Sequence, residues 1–307
     1  LISFIVYSLT VEPTASYWDC AEYISTSAKL QIGHPPGAPL FQMLGAIFSI
    51  FALESTQIAY AVNMMSVFSS SLTIIFLFWS ISLIGKEILR TNKILDIYNS
   101  VKIFGASFIG SLTFTFTDSF WYNAVEAEVY AMATLILSVL FWLGLKWADD
   151  FENERSNKWL ILISFVVGLS FGVHFMGLLA IPSIGLIYYF KKYKNFKLKS
   201  FLIANILSVG ILLFIFKLLL PSTLSLFGNL EVFFVNDLGL PFNSGTIFSA
   251  VFIICSIYYG LSYTAKKRYY LANTTLLSLT FIFIGFSSWL MIPIRSNADT
   301  VINENSP

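Results

Sequence analysis

The chain has 307 residues, of which 57% are hydrophobic and 11% are charged, whereas roughly 25% of the residues in an ordinary soluble domain are charged. Its mean hydropathy is +0.77 and its formal net charge is +1. This composition excludes a soluble globular protein and predicts an all-α, polytopic transmembrane helical bundle.

Apolar runs in chain order predict the helices. The first run, Leu1–Leu9, is far shorter than the roughly 20 residues that a spanning helix needs. We therefore interpret both ends as cut from a longer protein, with residues 1–307 forming one transmembrane domain. The later runs are Ala38–Leu53, Ile58–Gly85, Ile103–Thr117, Tyr130–Trp147, Trp159–Val173, Phe175–Phe190, Phe201–Leu220, Ile247–Thr264 and Leu271–Ile294.

Basic residues between these runs predict the orientation. If segments 86–102, 146–158, 191–199 and 266–268 face the cytoplasm, 15 of the 18 Lys and Arg residues lie inside, including Arg90 and Lys93. Because each crossing moves the chain to the other side of the bilayer, this assignment requires that residues 38–53 do not cross it. It also requires that 159–173 and 175–190 form a hairpin of two short spans. Nine crossings result, counting the incomplete first one.

The same topology places both histidines and 11 of the 17 acidic residues on the outer side. Because the positive-inside rule concerns only Lys and Arg, this grouping is an independent observation. The first outer loop, residues 10–57, carries the densest set of polar residues.

Within this loop, Asp19 and Glu22 are three residues apart. If Trp18–Leu30 is a helix, both carboxylates share one face. A carboxylate at a membrane surface is partly desolvated, which raises its pKa and suits it as a general base. The alternative is an interfacial amphipathic helix with solvated acids, to which Trp18 would contribute an anchor.

Two histidines stand at predicted turns. His34 precedes Pro35 and Pro36, which fix a rigid turn, so it either lies at the mouth of a site or is simply solvated. His174 lies between glycines, and it is either a packed core residue or a contact for an anionic lipid phosphate.

Two further junctions carry charge on the predicted outer side. Glu126 and Glu128 are two apart, so an irregular turn would bring them together whereas a helix would separate them. Arg295 ends the last span against the positive-inside trend, and its guanidinium suits phosphate or carboxylate. The alternatives are interfacial acids and a snorkelling Arg.

Several site types are absent from the sequence. It has no Walker loop, dinucleotide-binding glycine motif, G-x-S-x-G elbow or HExxH motif. The two cysteines, Cys20 and Cys255, fit no metal spacing. A soluble basic patch with interleaved aromatics is also missing, so nucleic acid is excluded as a partner.

Five segments together resemble one family of membrane proteins, the protein O-mannosyltransferase-like family of the GT-C glycosyltransferase superfamily, long described as a domain of unknown function. The resemblance covers nearly the whole chain, with its motifs in order. The segments are YWDCAEY (17–23), GHPPGAPLF (33–41), WYNAVEAEVYAM (121–132), GLSFGVHFMGLL (168–179) and MIPIRSN with INEN (291–297 and 302–305).

The resemblance implies a GT-C-like fold with two juxtamembrane helices in the first outer loop. It implies that Asp19 is the catalytic base with Glu22 assisting, and that His34, His174 and Arg295 lie near the phosphate of a polyprenyl-phosphate sugar. The remaining substrate-site candidates are Trp18, Tyr122, Asn123, Glu126, Glu128, Tyr130, Asn303 and Glu304.

The predicted function is transfer of a hexose, such as mannose, from this donor to a Ser or Thr hydroxyl of a translocated protein, with inversion at the sugar. The expected partners are the lipid-linked donor, the acceptor protein and membrane lipids. The expected location is the bacterial inner membrane facing the periplasm, or the ER membrane facing the lumen. No cofactor is expected, although the carboxylates of Asp19, Glu22, Glu126 and Glu128 could supply oxygen ligands to a divalent metal. A secondary transporter and a non-catalytic membrane scaffold are the alternative functions.

Overall fold

The computed structural model describes residues 1–89, 96–153 and 155–304. The described chain is predominantly helical and contains no β-sheet, which confirms the all-α prediction. Arg90 and Lys93 of the predicted cytoplasmic loop, and Asn305 of the terminal motif, lie outside the described residues.

Fourteen α-helices, joined by short 3₁₀ and π segments, make up the described chain. In chain order they are α1 Ile2–Leu9, α2 Cys20–Lys29, α3 Pro39–Ser49, α4 Ile58–Ile88, α5 Ile97–Thr115, α6 Asp118–Ala124, α7 Val129–Asp149, α8 Asn157–Ser170, α9 Ala180–Lys192, α10 Leu198–Leu213, α11 Leu220–Val232, α12 Ser244–Lys266, α13 Tyr270–Phe286 and α14 Met291–Ser296.

The helices form two compact units. The first contains Leu1–Ala180 together with the segment that starts at Ile282, and the second contains Ile181–Phe281. All of the predicted site residues belong to the first unit. The single domain over residues 1–307 stays a prediction.

Helix α4 is the centre of the first unit, where it packs against α1, α3, α5 and α7. Small polar side chains such as Ser66, Ser70 and Thr73 are buried on it, and small residues allow neighbouring helices to approach closely. Asn63 on the same helix donates through Nδ2 to the backbone carbonyls of Glu12 and Thr14, at 2.6 and 2.8 Å. Helix α4 therefore fixes the start of the loop between α1 and α4 as well as the core.

Five helical stretches in the described chain are long and apolar enough to cross a membrane. The nine predicted crossings are not confirmed, because α1, α8 and α9 have only 8, 14 and 13 residues and α5 is not among the five stretches. Helix α3 is also short, with 11 residues; this length suits a helix that does not cross, although its place in the membrane stays a prediction. The five stretches are Ser55–Ile88, Val129–Asp149, Leu198–Asp237, Ser244–Lys266 and Tyr270–Ser296.

In the second unit, the predicted end of a helix at Leu220 is wrong. The chain continues as one helical stretch of 40 residues, Leu198–Asp237, through a π segment at Phe214–Leu219. Pro221 lies in the first turn of α11, where the missing N–H of proline is tolerated. The wider π turn just before it accommodates the change of hydrogen bonding, so proline did not break the helix.

Candidate active site between α1 and α4

Helix α2 begins at Cys20, and Asp19 is its N-cap residue. The backbone of Trp18 has φ 59°, in the left-handed region, so the helix cannot begin at Trp18 as the sequence predicted. Leu30 has φ 47° and ends the helix at Lys29. Asp19 therefore projects from the end of the helix rather than from its side.

The structure brings Asp19, Glu22 and His34 together. Glu22 Oε1 accepts a hydrogen bond from the backbone N–H of His34 at 2.6 Å, and Glu22 Oε2 lies 2.9 Å from His34 Nδ1. The other ring nitrogen, Nε2, lies 3.8 Å from Asp19 Oδ2. Asp19 is the most exposed of the three, with 54% of its side chain accessible, so it is the carboxylate that an incoming molecule can reach.

The imidazole of His34 is the group in this cluster that can offset the negative charge of the two acids. The hydrogen bond to Glu22 raises the pKa of His34, the charges of Glu22, Asp19 and Glu304 raise it further, and partial burial opposes them. A protonated His34 would offset part of the negative charge of the two acids. Glu22 contacts Nδ1 of this ring. In the protonated ring, the N–H at Nε2 is therefore not used by Glu22, and Nε2 is the nitrogen that lies near Asp19.

The turn after α2 has room for this contact only because residue 33 is glycine. A Cβ atom at Gly33 would lie 2.5 Å from Glu22 Oε1. Beneath the turn lies the fully buried Gln42 of α3. In the orientation that satisfies both ends of its amide, Gln42 accepts from the Gly33 N–H at 3.3 Å and donates to the Gln31 carbonyl at 3.2 Å. The turn is thus held from both sides.

Helix α3 is tied to the glycine-rich segment that contains His174. The backbone N–H groups of Leu40 and Phe41 both donate to the Gly172 carbonyl, at 2.8 and 3.2 Å. These two donors belong to the first turn of α3, which has no partners within the helix. Two motifs more than 130 residues apart in sequence are thereby joined at the site.

His174 is half-buried, and its imidazole is held by a backbone hydrogen bond. Burial lowers its pKa, while Nδ1 accepts from the Met176 N–H at 3.1 Å. Its ring lies 5.5 Å from the ring of Tyr130, which places Tyr130 beside it. Any contact of His174 with phosphate would be a neutral hydrogen bond from Nε2–H, and the phosphate role stays a prediction.

The two glutamates after α6 lie in the irregular turn before α7 and are buried, with 6% and 5% of Glu126 and Glu128 exposed. Glu126 accepts a short hydrogen bond from Ser16 Oγ, and burial raises its pKa. Glu128 Oε1 has no hydrogen-bond partner among the described residues. Burial, followed by the charges of Asp19 and Glu126, raises the pKa of Glu128 to about 7.

Arg295 binds the end of α2. Its Nε donates to the Leu30 carbonyl at 2.6 Å and its Nη2 to the Lys29 carbonyl at 3.4 Å. A cation is favourable there because the last carbonyls of a helix lack partners and carry partial negative charge. This contact gives Arg295 a structural role that the sequence did not reveal, and its phosphate role stays a prediction.

The terminal segment reaches the same place. Ile32 and Asn303 form a parallel β-bridge, with the Ile32 N–H donating to the Ile302 carbonyl and the Glu304 N–H to the Ile32 carbonyl, each at 3.1 Å. Glu304 is close enough to raise the pKa of His34. The structure therefore brings Asn303 and Glu304 close to His34, and their role in substrate binding stays a prediction.

The remaining predicted residues lie around a cleft of about 450 Å³ or outside it. Tyr122 lines the cleft, whereas Asn123 donates to the Ser119 carbonyl of its own helix. Trp18 is exposed and is not among the lining residues. The cleft does not include Asp19 or His34. Its lining residues are Glu12, Ala15, Ser16, Tyr17, Tyr122, Val125 and Glu126.

Sequence reasoning missed three residues that support the site. Tyr23 packs its ring against His34 and Phe41, at 5.8 and 5.1 Å between centroids, and burial raises its pKa. Glu12 and Ser16 line the cleft next to Glu126. Only Tyr23 carried a local signal, since it follows Glu22 in a motif that was already of interest.

A cation would find possible ligands in this cluster. Asp19, Glu22 and His34 each offer one ligand atom, and these atoms lie within 4.8 Å of one another. Two carboxylates and an imidazole are a set that several divalent metals accept. Glu22 already accepts hydrogen bonds from His34, whose ring must be unprotonated at the atom that binds a metal. The expectation that the site holds no metal stays a prediction.

The family model for the protein O-mannosyl-transferase TMEM260 N-terminal domain matches residues 19–197, more than half of the chain. Protein O-mannosyl-transferase tmem260 of Dictyostelium discoideum is 29% identical over 190 residues, covering 58% of this chain and 21% of the relative. Protein O-mannosyl-transferase TMEM260 of Mus musculus is 23% identical over 166 residues, covering 54% and 21%.

The chain thus spans about a fifth of the length of these two relatives. No solved structure matches it.

The two histidines are expected to titrate on opposite sides of the ordinary imidazole pKa of 6.5. His34 should titrate above it, because Glu22 stabilises the charged ring, and His174 below it, because burial disfavours the charge. Since the chain has only two histidines, ¹⁵N-histidine NMR of the protein in detergent micelles resolves both. Glu22→Gln should lower the pKa of His34 and leave that of His174 unchanged, and equal titration of both rings in the wild type would contradict this assignment.

Burial of Glu128 should make folding stability fall as pH rises. Below pH 4.5 the carboxyl is protonated in both states, whereas between pH 4.5 and about 7 the unfolded state ionises and the folded state keeps its proton. By linkage this costs roughly 3 kcal/mol of unfolding free energy. Thermal unfolding of Glu128→Gln should therefore lose less stability over this range than the wild type. The exposed Glu54→Gln is the matched control, and an identical pH dependence in Glu128→Gln and the wild type would refute the argument.

Proposed function

The chain belongs to the family of the protein O-mannosyl-transferase TMEM260 N-terminal domain, and from this premise we propose that it transfers a hexose, specifically mannose, to Ser or Thr hydroxyls of a protein. The observation that carries the proposal is the Asp19–Glu22–His34 cluster. The cluster lies within residues 19–197, the part of the chain that matches the family model. The carboxylate of Asp19 is open to solvent, and Glu22 and His34 are hydrogen-bonded to each other.

We propose a polyprenyl-phosphate sugar as the donor. The five apolar helices support a membrane location, and a lipid-linked sugar would reach the site from the bilayer. The proposed face is the periplasm of a bacterium or the lumen of the ER. No soluble nucleotide-binding motif exists in the sequence to serve a nucleotide-sugar.

Asp19 is proposed as the general base. The acceptor O–H bond gives its proton to Asp19 while the oxygen attacks the anomeric carbon, and the bond from that carbon to the phosphate oxygen breaks. The electron pair leaves with the lipid phosphate, so the sugar is inverted and no covalent enzyme intermediate forms. The exposure of Asp19 supports this role, because the base must come within hydrogen-bond reach of the acceptor.

Glu22 is proposed as a positioning residue that acts through His34. Its carboxylate holds Nδ1 and the backbone of His34, so that Nε2–H stands beside Asp19 at 3.8 Å. A positively charged His34 would stabilise negative charge on the departing phosphate, an effect worth about 3 kcal/mol for a well-placed donor. His174 and Arg295 are proposed as weaker phosphate contacts, since one is neutral and the other also binds carbonyls.

Removing the base should stop the chemistry without unfolding the protein. Asp19→Asn is expected to lower kcat by about 10²–10⁴-fold, the range for loss of a general base, with little change in the KM for the donor. The assay is sugar transfer from a polyprenyl-phosphate sugar to an acceptor peptide by purified protein. Asp118→Asn, an acid of α6 outside the cluster, is the control and should stay near wild-type activity. Full activity in Asp19→Asn would exclude Asp19 as the base.

We also propose that the reaction needs no divalent metal, because His34 and Glu22 satisfy each other. The rate of transfer should therefore change by no more than about twofold after exhaustive treatment with EDTA, because in this proposal the protonated ring of His34 stabilises the charge on the phosphate. Activity that falls at least tenfold in EDTA and returns with Mg²⁺ or Mn²⁺ would show that Asp19, Glu22 and His34 hold a metal instead.

A further inference from the structure

We propose that the cleft between the start of the first outer loop and the turn before α7 binds the acceptor polypeptide, and that it favours Lys or Arg near the acceptor hydroxyl. This inference rests on the proposed transfer to protein hydroxyls and names the substrate feature that the site selects. The cleft has a volume of about 450 Å³, within the range of roughly 300–1,000 Å³ that is typical of ligand sites.

The walls of the cleft are fixed by hydrogen bonds. The Glu12 N–H donates to the Val125 carbonyl at 2.9 Å, and Asn63 of α4 holds the Glu12 and Thr14 carbonyls. Ser16 Oγ donates to Glu126. An extended segment of loop is thus tied at three points to helix α4 and to the turn, and a preorganised site of this kind loses less entropy on binding.

The chemistry of the lining favours positive charge. Two carboxylates, Glu12 and Glu126, line the cleft, and within the described part of the chain no Lys or Arg lines it. Glu12 is the accessible acid, because Glu126 is buried and its pKa is raised. Glu12 Oε1 accepts from Thr14, and no hydrogen bond involves its Oε2 among the described residues, so a bound cation can reach it.

The carboxylates of Glu12 and Glu126 also make the cleft selective for the acceptor over the lipid-linked donor. A lipid phosphate brought into the cleft would meet like charge, and repulsion between like charges disfavours binding. Tyr17 and Tyr122 line the cleft and are 80% and 54% exposed to solvent, and aromatic faces attract ammonium and guanidinium groups. The lining therefore suits a basic peptide and opposes an anionic lipid.

The distance to the proposed base is compatible with one bound peptide. Ser16 of the cleft and Asp19 are three residues apart, so their Cα atoms lie at most about 11 Å from each other. An extended peptide covers this in about three residues at 3.3 Å each. A basic side chain in the cleft would thus lie about three positions from the hydroxyl that approaches Asp19.

The test uses three acceptor peptides that differ only in Lys, Gln or Glu at the position three residues from a single Thr. Binding of fluorescent peptides to the purified protein in nanodiscs is measured by anisotropy without donor, and transfer is measured separately. The Lys peptide is expected to bind about tenfold more tightly than the Glu peptide, a difference that corresponds to two changes of charge at a solvent-accessible carboxylate.

Glu12→Gln should remove most of this tenfold difference, since Gln keeps the shape and the contact with Thr14 but loses the charge. Tyr122→Ala should weaken the Lys peptide more than the Gln peptide. The control is Glu54→Gln, an exposed acid of the same loop that lies outside the cleft, and it should behave as the wild type. The KM for the lipid donor should be unchanged in Glu54→Gln.

Equal binding of the three peptides by the wild type, or an unchanged preference in Glu12→Gln, would overturn the assignment of the cleft. These results are separable from failure of the proposed function. Transfer to all three peptides without a charge preference would leave the transferase and reject the cleft. A charge preference that depends on Glu12, without transfer from any polyprenyl-phosphate sugar, would leave the cleft as a peptide site and reject the transferase.

Discussion

The contact of Glu22 with the backbone and ring of His34 is the constraint on which the site depends. One carboxylate joins helix α2 to the turn that starts α3, and it does so through a backbone N–H as well as a side chain. Gly33 is required next to it, because a side chain there would occupy the position of the carboxylate. Loss of this acid would leave a partly buried N–H without a partner, and such groups cost about 1–3 kcal/mol. Asp19 stays open to solvent because Glu22, and not Asp19, makes these bonds.

Local patterns in the sequence predicted the parts of this site that depend on neighbours along the chain. The i,i+3 spacing of Asp19 and Glu22 and the Pro-Pro turn after His34 marked this loop as a candidate site, but the expected helix from Trp18 was wrong, because Asp19 is the N-cap of a helix that begins at Cys20. The contacts of Arg295 with the end of α2, and the bridge of Ile32 with Asn303, join positions more than 260 residues apart. No periodicity relates such positions, so only the folded chain reveals that Arg295 caps a helix.

The number of membrane crossings is a second property that the sequence alone did not predict. Counting basic residues assigns loops to sides, but it does not measure whether the helix between two loops is long enough to span. Helix α8 ends at Ser170 and a 3₁₀ segment follows His174, because the glycines there allow a tight turn and close packing. Gly168 packs against the backbone of Ile282 so closely that a Cβ atom would collide with it. Tertiary packing determines the lengths of these helices, and the positions of the basic residues carry no information about that packing.

The helical stretch Leu198–Asp237 has a consequence for its surroundings. Forty residues at 1.5 Å each extend for about 60 Å, twice the thickness of a hydrocarbon core of about 30 Å. Tilt alone would have to reach about 60° to hide it, beyond the range of roughly 0–40° seen for membrane helices. A straight helix of this length therefore exceeds the hydrocarbon core at every tilt in that range, so part of it would lie among headgroups or in water.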